Sequence, residues 1–132
     1  MLIKIKPDMF INTESISCFY KKKETEETRE NRIFFADNIS SEKVEDEFAD
    51  ELSKYLEEDE TFVLFISETT NIYINTKQIF KISLKEKDCA AYISFNSDKD
   101  PFTFRFEDSK ALESNLTRIQ EKLNKSTYVD HF

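Results

Sequence analysis

Nucleophilic and metal chemistry need clustered donors, and this sequence spreads its candidates thinly. Cys18, Cys89 and His131 are the only thiols and the only imidazole in 132 residues. A serine or cysteine nucleophile needs a base beside it, and the one histidine stands next to last, in a stretch without periodicity. A zinc site needs several Cys or His ligands, which positions 18, 89 and 131 do not supply as a set. No catalytic residue, metal ligand or cofactor is therefore expected. Both cysteines fall in apolar, strand-like stretches. The reading is two free, buried thiols in a reducing cytoplasm, with a single disulfide as the alternative.

Carboxylates are the next candidates, since the chain has 27 acids against 19 bases. Two-metal nucleases hold their ions with acidic ligands, usually with a lysine nearby, but no Glu-x-Lys element occurs here. The run Glu57-Glu58-Asp59-Glu60 follows a helical pattern, where negative charge is electrostatically unfavourable. It reads as a solvated connector. Glycine is absent, which removes phosphate loops, dinucleotide fingerprints, nucleophile elbows and regular calcium loops. Tryptophan, a frequent sugar-stacking platform, is absent too. Nucleic acid calls for a basic surface. The only basic triplet, Lys21-Lys22-Lys23, is followed at once by Glu24, Glu26 and Glu27, and Lys81, Lys85 and Lys87 make only a second modest cluster. Direct nucleic-acid binding is not expected, and neither is a membrane span, because no apolar run approaches the length one needs.

What remains is the placement of the charge. Residues 42–60 hold ten acids and two lysines, a net of −8, while the other 113 residues hold 17 acids and 17 bases. The formal charge of −8 therefore belongs to one segment. Such a segment is either a solvated helix face or a docking face for a basic protein, whose encounter it would accelerate. On the docking reading, Glu42, Asp46, Asp50 and Glu57 carry the contact.

These side chains must be positioned by secondary structure. Strands are expected at 2–6, 9–12, 15–21, 33–36, 61–67, 71–75, 78–86, 90–97 and 101–106. Phe102, Phe104 and Phe106 alternate with Thr103 and Arg105, which marks a half-buried strand. Residues 21–32 carry nine charges and no apolar side chain and read as a solvated hairpin loop. Val44, Phe48, Leu52, Tyr55 and Leu56 recur at helical spacing, as do Leu112, Leu116, Ile119 and Leu123. They predict amphipathic helices over 41–57 and 109–125. Residues 126–132 read as a flexible tail. Turns must use Asn, Asp, Ser and Pro, as at Pro7-Asp8, Asn12-Thr13, Asn75-Thr76 and Asn96-Ser97-Asp98.

Runs of strands that each close with a helix argue for an α+β domain over residues 1–125. The expected architecture is an antiparallel sheet or small barrel of about eight strands with two helices. Residues 10–16, Phe-Ile-Asn-Thr-Glu-Ser-Ile, resemble residues 73–79, Tyr-Ile-Asn-Thr-Lys-Gln-Ile, at an offset of 63. They suggest pseudo-repeats over 8–58 and 71–125; a single unit that reuses one strand-ending motif is the alternative. The functional expectation is a non-enzymatic protein-interaction domain, in its sharper form a stoichiometric binder or inhibitor of a basic, toxin-like or nucleic-acid-binding protein. The second reading is a structural module, such as a phage or mobile-element component, that self-associates as a homo-oligomer.

Overall fold

The computed structural model describes residues 1–23, 29–37, 40–67, 69–95 and 101–130, with the side chains of all but Glu86 and 123–130. The middle of the charged 21–32 segment, the Asn96-Ser97-Asp98 turn and His131 lie outside the described residues. Strands β1 (Leu2–Lys6) and β2 (Met9–Asn12) form a hairpin around Pro7-Asp8. Then come β3 (Ile16–Lys22), β4 (Asn31–Phe35), β5 (Ser41–Val44) and helix α1 (Asp46–Glu58). The second half has β6 (Phe62–Ile66), β7 (Thr70–Asn75), β8 (Lys81–Lys85), β9 (Ala90–Ser94), β10 (Phe102–Arg105) and helix α2 (Ser109–Asp130). All strand pairs are antiparallel, so the fold is α+β as the sequence indicates.

The central sheet runs β5-β4-β3-β7-β6, and its inner strands β3 and β7 are buried on both faces. In β3 successive side chains enter different cores, because strand side chains alternate between faces. Phe19 joins Ile33, Tyr73 and Phe62 beneath α1 and the β1–β2 hairpin. Cys18 joins Val63, Phe65, Ile72 and Ile74 beneath the β10-β9-β8 sheet and α2. Fully burying one such aliphatic or aromatic side chain contributes about 1.5–3 kcal/mol, so this sheet is where the fold gains most. Helix α1 supplies Ala49, Leu52 and Leu56 to the first core, and α2 supplies Leu112 and Ile119 to the second.

The start of α1, the number of strands and the end of α2 depart from the sequence reading. Residues 41–44 are strand β5, paired with β4, and not the first turn of a helix. Val44 sits four residues before Phe48 and so mimics a helical stripe, yet it enters the core from a strand. Glu45 is still extended, with ψ 149°, and the helix begins only after it. Among the described residues ten strands form where about eight were expected, and α2 continues past Lys125 to Asp130.

The order β-β-3₁₀-β-β-β-α occurs twice in the chain, with one further 3₁₀ turn, Glu86–Asp88, in the second half. The repeated sequence motif occupies the same place in both. Asn12 and Asn75 each cap a 3₁₀ turn, accepting from the backbone N–H of Glu14 at 3.1 Å and of Lys77 at 3.0 Å. The backbone N–H groups of Thr13 and Thr76 donate to the carbonyls of Met1 (2.9 Å) and Thr61 (2.8 Å). Ile16 and Ile79 close the two turns by donating to Thr13 and Thr76. Neither Asn needs a left-handed backbone, since their φ values are −88° and −77°. Among the described residues the positive φ falls instead on Cys89, at 49°, in the turn before β9.

The two Asn residues differ in burial. Asn75 is buried and its Nδ2 also donates to the Ile16 carbonyl at 3.0 Å, whereas Asn12 is exposed. Asn75→Ala is expected to cost about 2–3 kcal/mol and Asn12→Ala about 0.5–1 kcal/mol, read by urea denaturation. Equal losses would refute the difference. At the strained turn, Cys89→Gly is expected to add about 1 kcal/mol of stability, because it removes a Cβ from a left-handed position. Cys89→Ala, which keeps the Cβ, should give no gain in the same thermal melts.

Candidate protein-binding surfaces

The four carboxylates expected to dock a partner do not form one free face. Glu42 lies on β5 and pairs with Lys6 Nζ at 3.0 Å. Asp46 meets Lys22 Nζ at 3.2 Å and accepts from Asn31 Nδ2 at 2.8 Å. Asp50 meets Lys21 Nζ at 2.9 Å. Glu57 accepts from the Tyr73 hydroxyl at 2.8 Å. The reason lies in the helix phase. Counting Val44 and Phe48 as stripe residues rotates the inferred apolar face, whereas the buried face is Ala49, Leu52, Ser53 and Leu56. Asp46, Asp50 and Glu57 then fall on the flank that meets β3 and β7.

The flank acts structurally. Asn31 is buried, accepts from the backbone N–H of Lys22 at 3.0 Å and donates to the Val44 carbonyl at 3.2 Å. With Asp46 it ties β3, β5 and the first turn of α1 together. The hydrogen bond and charge of Lys22, with the Asn31 amide, hold the Asp46 carboxyl below its ordinary pKa, and its place in the first helical turn acts in the same sense. Each exposed ion pair contributes only about 0–1 kcal/mol. Tyr73 lies 5.9 Å from Phe19, ring to ring. Its hydroxyl ionises above the usual tyrosine range because burial, and then the Glu57 carboxylate, oppose a phenolate.

The solvent stripe of α1 is a different set. Glu47, Glu51, Lys54 and Glu58 are exposed and fall within about 60° of one another at 100° per residue. They point away from the buried face. The signal was present in the sequence, but reading it required the true start of α1.

A second surface was not anticipated in detail. Strands β2 and β8 are open edges, and large apolar side chains stand exposed on or beside them: Leu2 (67%), Phe10 (60%), Phe80 (62%) and Leu84 (47%). A groove of about 500 Å³ runs between β8 and α2. Lone exposed apolar residues are ordinary, but grouped ones along unpaired backbone mark a contact surface.

Cys18 and Cys89 are free thiols. Burial pushes the Cys18 thiol well above its ordinary range, which keeps it protonated and unreactive. No helix among the described residues is long and apolar enough to cross a membrane.

The Asp46 arrangement carries a pH signature. A carboxyl whose folded pKa is depressed stabilises the fold above its unfolded value, and that stability is lost as pH falls through the folded value. Asp46→Asn should therefore be less stable than the parent at pH 7. The gap should shrink as pH drops below the ordinary value of 3.8. Urea midpoints across that range measure it, and a pH-independent gap would count against the ion pair. No protein-family model, characterised protein or solved structure matches this chain, so its function has to be argued from these two surfaces.

Proposed function

We propose that this chain is a non-enzymatic protein-interaction module whose helix α1 docks a basic protein partner. The observation that carries the reading is what is left after internal pairing. Three of the ten acids in residues 42–60 meet lysines from β1 or β3, Lys43 lies 4.0 Å from Glu30, and the rest of the segment holds seven acids and Lys54. Glu47, Glu51 and Glu58 among them form the outward stripe of α1. The helix itself is fixed by Leu52 and Leu56, so the stripe is presented on a rigid element. A field of this sign raises the encounter rate with cationic surfaces and weakens as salt rises.

The contact residues of this proposal are Glu47, Glu51 and Glu58. Asp46 and Asp50 serve the fold, so reversing them would confound binding with stability. The double variant Glu47→Lys/Glu51→Lys should retain its circular dichroism and melting temperature. It should lose at least about tenfold in capture of basic proteins from an extract of the source cells. Capture read by mass spectrometry at low and high salt tests this; equal recovery by parent and variant would overturn it.

A further inference from the structure

The five-stranded sheet is made of two pieces, the three strands β5-β4-β3 and the two strands β7-β6, joined where β3 meets β7. The remaining sheets are the same two pieces left unjoined. The β10-β9-β8 sheet ends on an open β8, and the β1-β2 hairpin ends on an open β2. By position in the repeat, β8 corresponds to β3 and β2 corresponds to β7. We propose that β8 of one copy pairs with β2 of a second copy, completing a second five-stranded sheet across the interface.

The register of the internal junction can be carried over residue by residue. Cys18, Phe19 and Tyr20 pair with Ile74, Tyr73 and Ile72. Moving each by 63 positions puts Lys81, Ile82 and Ser83 opposite Ile11, Phe10 and Met9 of the second copy. The ladder would stop near Pro7, which has no N–H and stands where Thr70 closes the internal one.

The side chains bear this out independently of the backbone. Tyr73 packs on Phe19, with Ser53 and Glu57 at its hydroxyl. The equivalents of those three neighbours are Ile82, Leu116 and Gln120, and all three line the groove between β8 and α2. The equivalent of Tyr73 is Phe10, which is 60% exposed. So the place that Tyr73 fills in the first half is an open groove in the second, and the aromatic ring that would fill it stands out in solvent on β2.

Two further residues repeat the mismatch. Phe62 is buried in the first core opposite Asn75, while Leu2, in the same position opposite Asn12, is 67% exposed. Asn75 donates across the internal junction to the Ile16 carbonyl. Asn12 would donate in the same way to the Ile79 carbonyl of the second copy.

The contact is head-to-tail, so its two sides can be disabled separately. Phe10→Asp spoils the hairpin side and Leu84→Asp the groove side. Both residues are exposed, so both variants should keep their circular dichroism. Sedimentation should show the parent's average mass rising with concentration. Each variant alone should need at least about tenfold more protein to associate. An equimolar mixture of the two should regain association, because one intact β8 meets one intact β2. In parallel, a mixture of Phe10→Cys and Ile82→Cys chains under mild oxidation should form a disulfide between positions 10 and 82. A parent that stays monomeric to its solubility limit would overturn the proposal. So would variants that associate like the parent, a mixture that fails to recover, or disulfides linking only like positions. The Glu47→Lys/Glu51→Lys variant should self-associate normally, which separates this surface from the one on α1.

Discussion

The pairing of β3 with β7 is the contact on which the rest of the molecule depends. It joins strands separated by half the chain and converts two small strand groups into one sheet with two buried faces. That double burial explains why Ile16, Ser17, Cys18 and Phe19 are all buried in a row, where a sheet with one wet face would alternate. It also decides which side chains can be polar. The Asn75 amide donates to the Ile16 carbonyl at the end of this junction and accepts from the Lys77 N–H, so this buried amide is satisfied. The two helices cover opposite sides of this arrangement. Each packs on the first strand of its own hairpin, α1 on β1 and α2 on β6. Asn115 fastens the second of these contacts, accepting from the Ile66 N–H at 3.0 Å.

The absence of glycine shapes how the chain turns. Short 3₁₀ segments capped by Asn12 and Asn75 reverse direction with every φ negative, so no left-handed residue is needed there. The cost appears at Cys89, where the tight path from Glu86–Asp88 into β9 demands a positive φ that only glycine adopts without strain. The backbone carbonyl of the same residue accepts from Phe106 at 2.9 Å, which holds the strained turn against the end of β10.

Much of this was legible in the residues and some was not, for identifiable reasons. The alternation in Phe102–Phe106 and the aromatic-Ile-Asn-Thr motif report local geometry, and they gave the strand and the two turns correctly. The start of α1 was misplaced because Val44 keeps helical spacing with Phe48 while belonging to β5. That error carried into the choice of Asp46, Asp50 and Glu57 as a free face. Their actual partners, Lys21, Lys22 and Tyr73, are distant in sequence and reach them only through the pairing of β3 with β7. Lys21 was read as the point where strand gives way to loop and Lys22 as part of the loop, yet both are the last residues of β3. The local pattern holds no record of such long-range pairs.

The same motif also behaves differently in its two settings, and the difference sets the strength of any contact between copies. Tyr73 reaches Phe19 within one chain, where the connecting segment keeps the local concentration of the two strands high. Phe10 would have to find Ile82 on another molecule and bear the full entropic cost of association. The opposite face of the junction differs as well. Cys18 and Tyr20 look into an apolar core inside the chain, but their counterparts on β8 are Lys81 and Ser83. A lysine on an exposed strand edge is a common guard against uncontrolled edge pairing. The proposed second junction would thus keep the aromatic plug and the Asn donor of the first while giving up one apolar face. Such a contact between copies would be reversible and governed by protein concentration, whereas its internal counterpart is a permanent part of the fold.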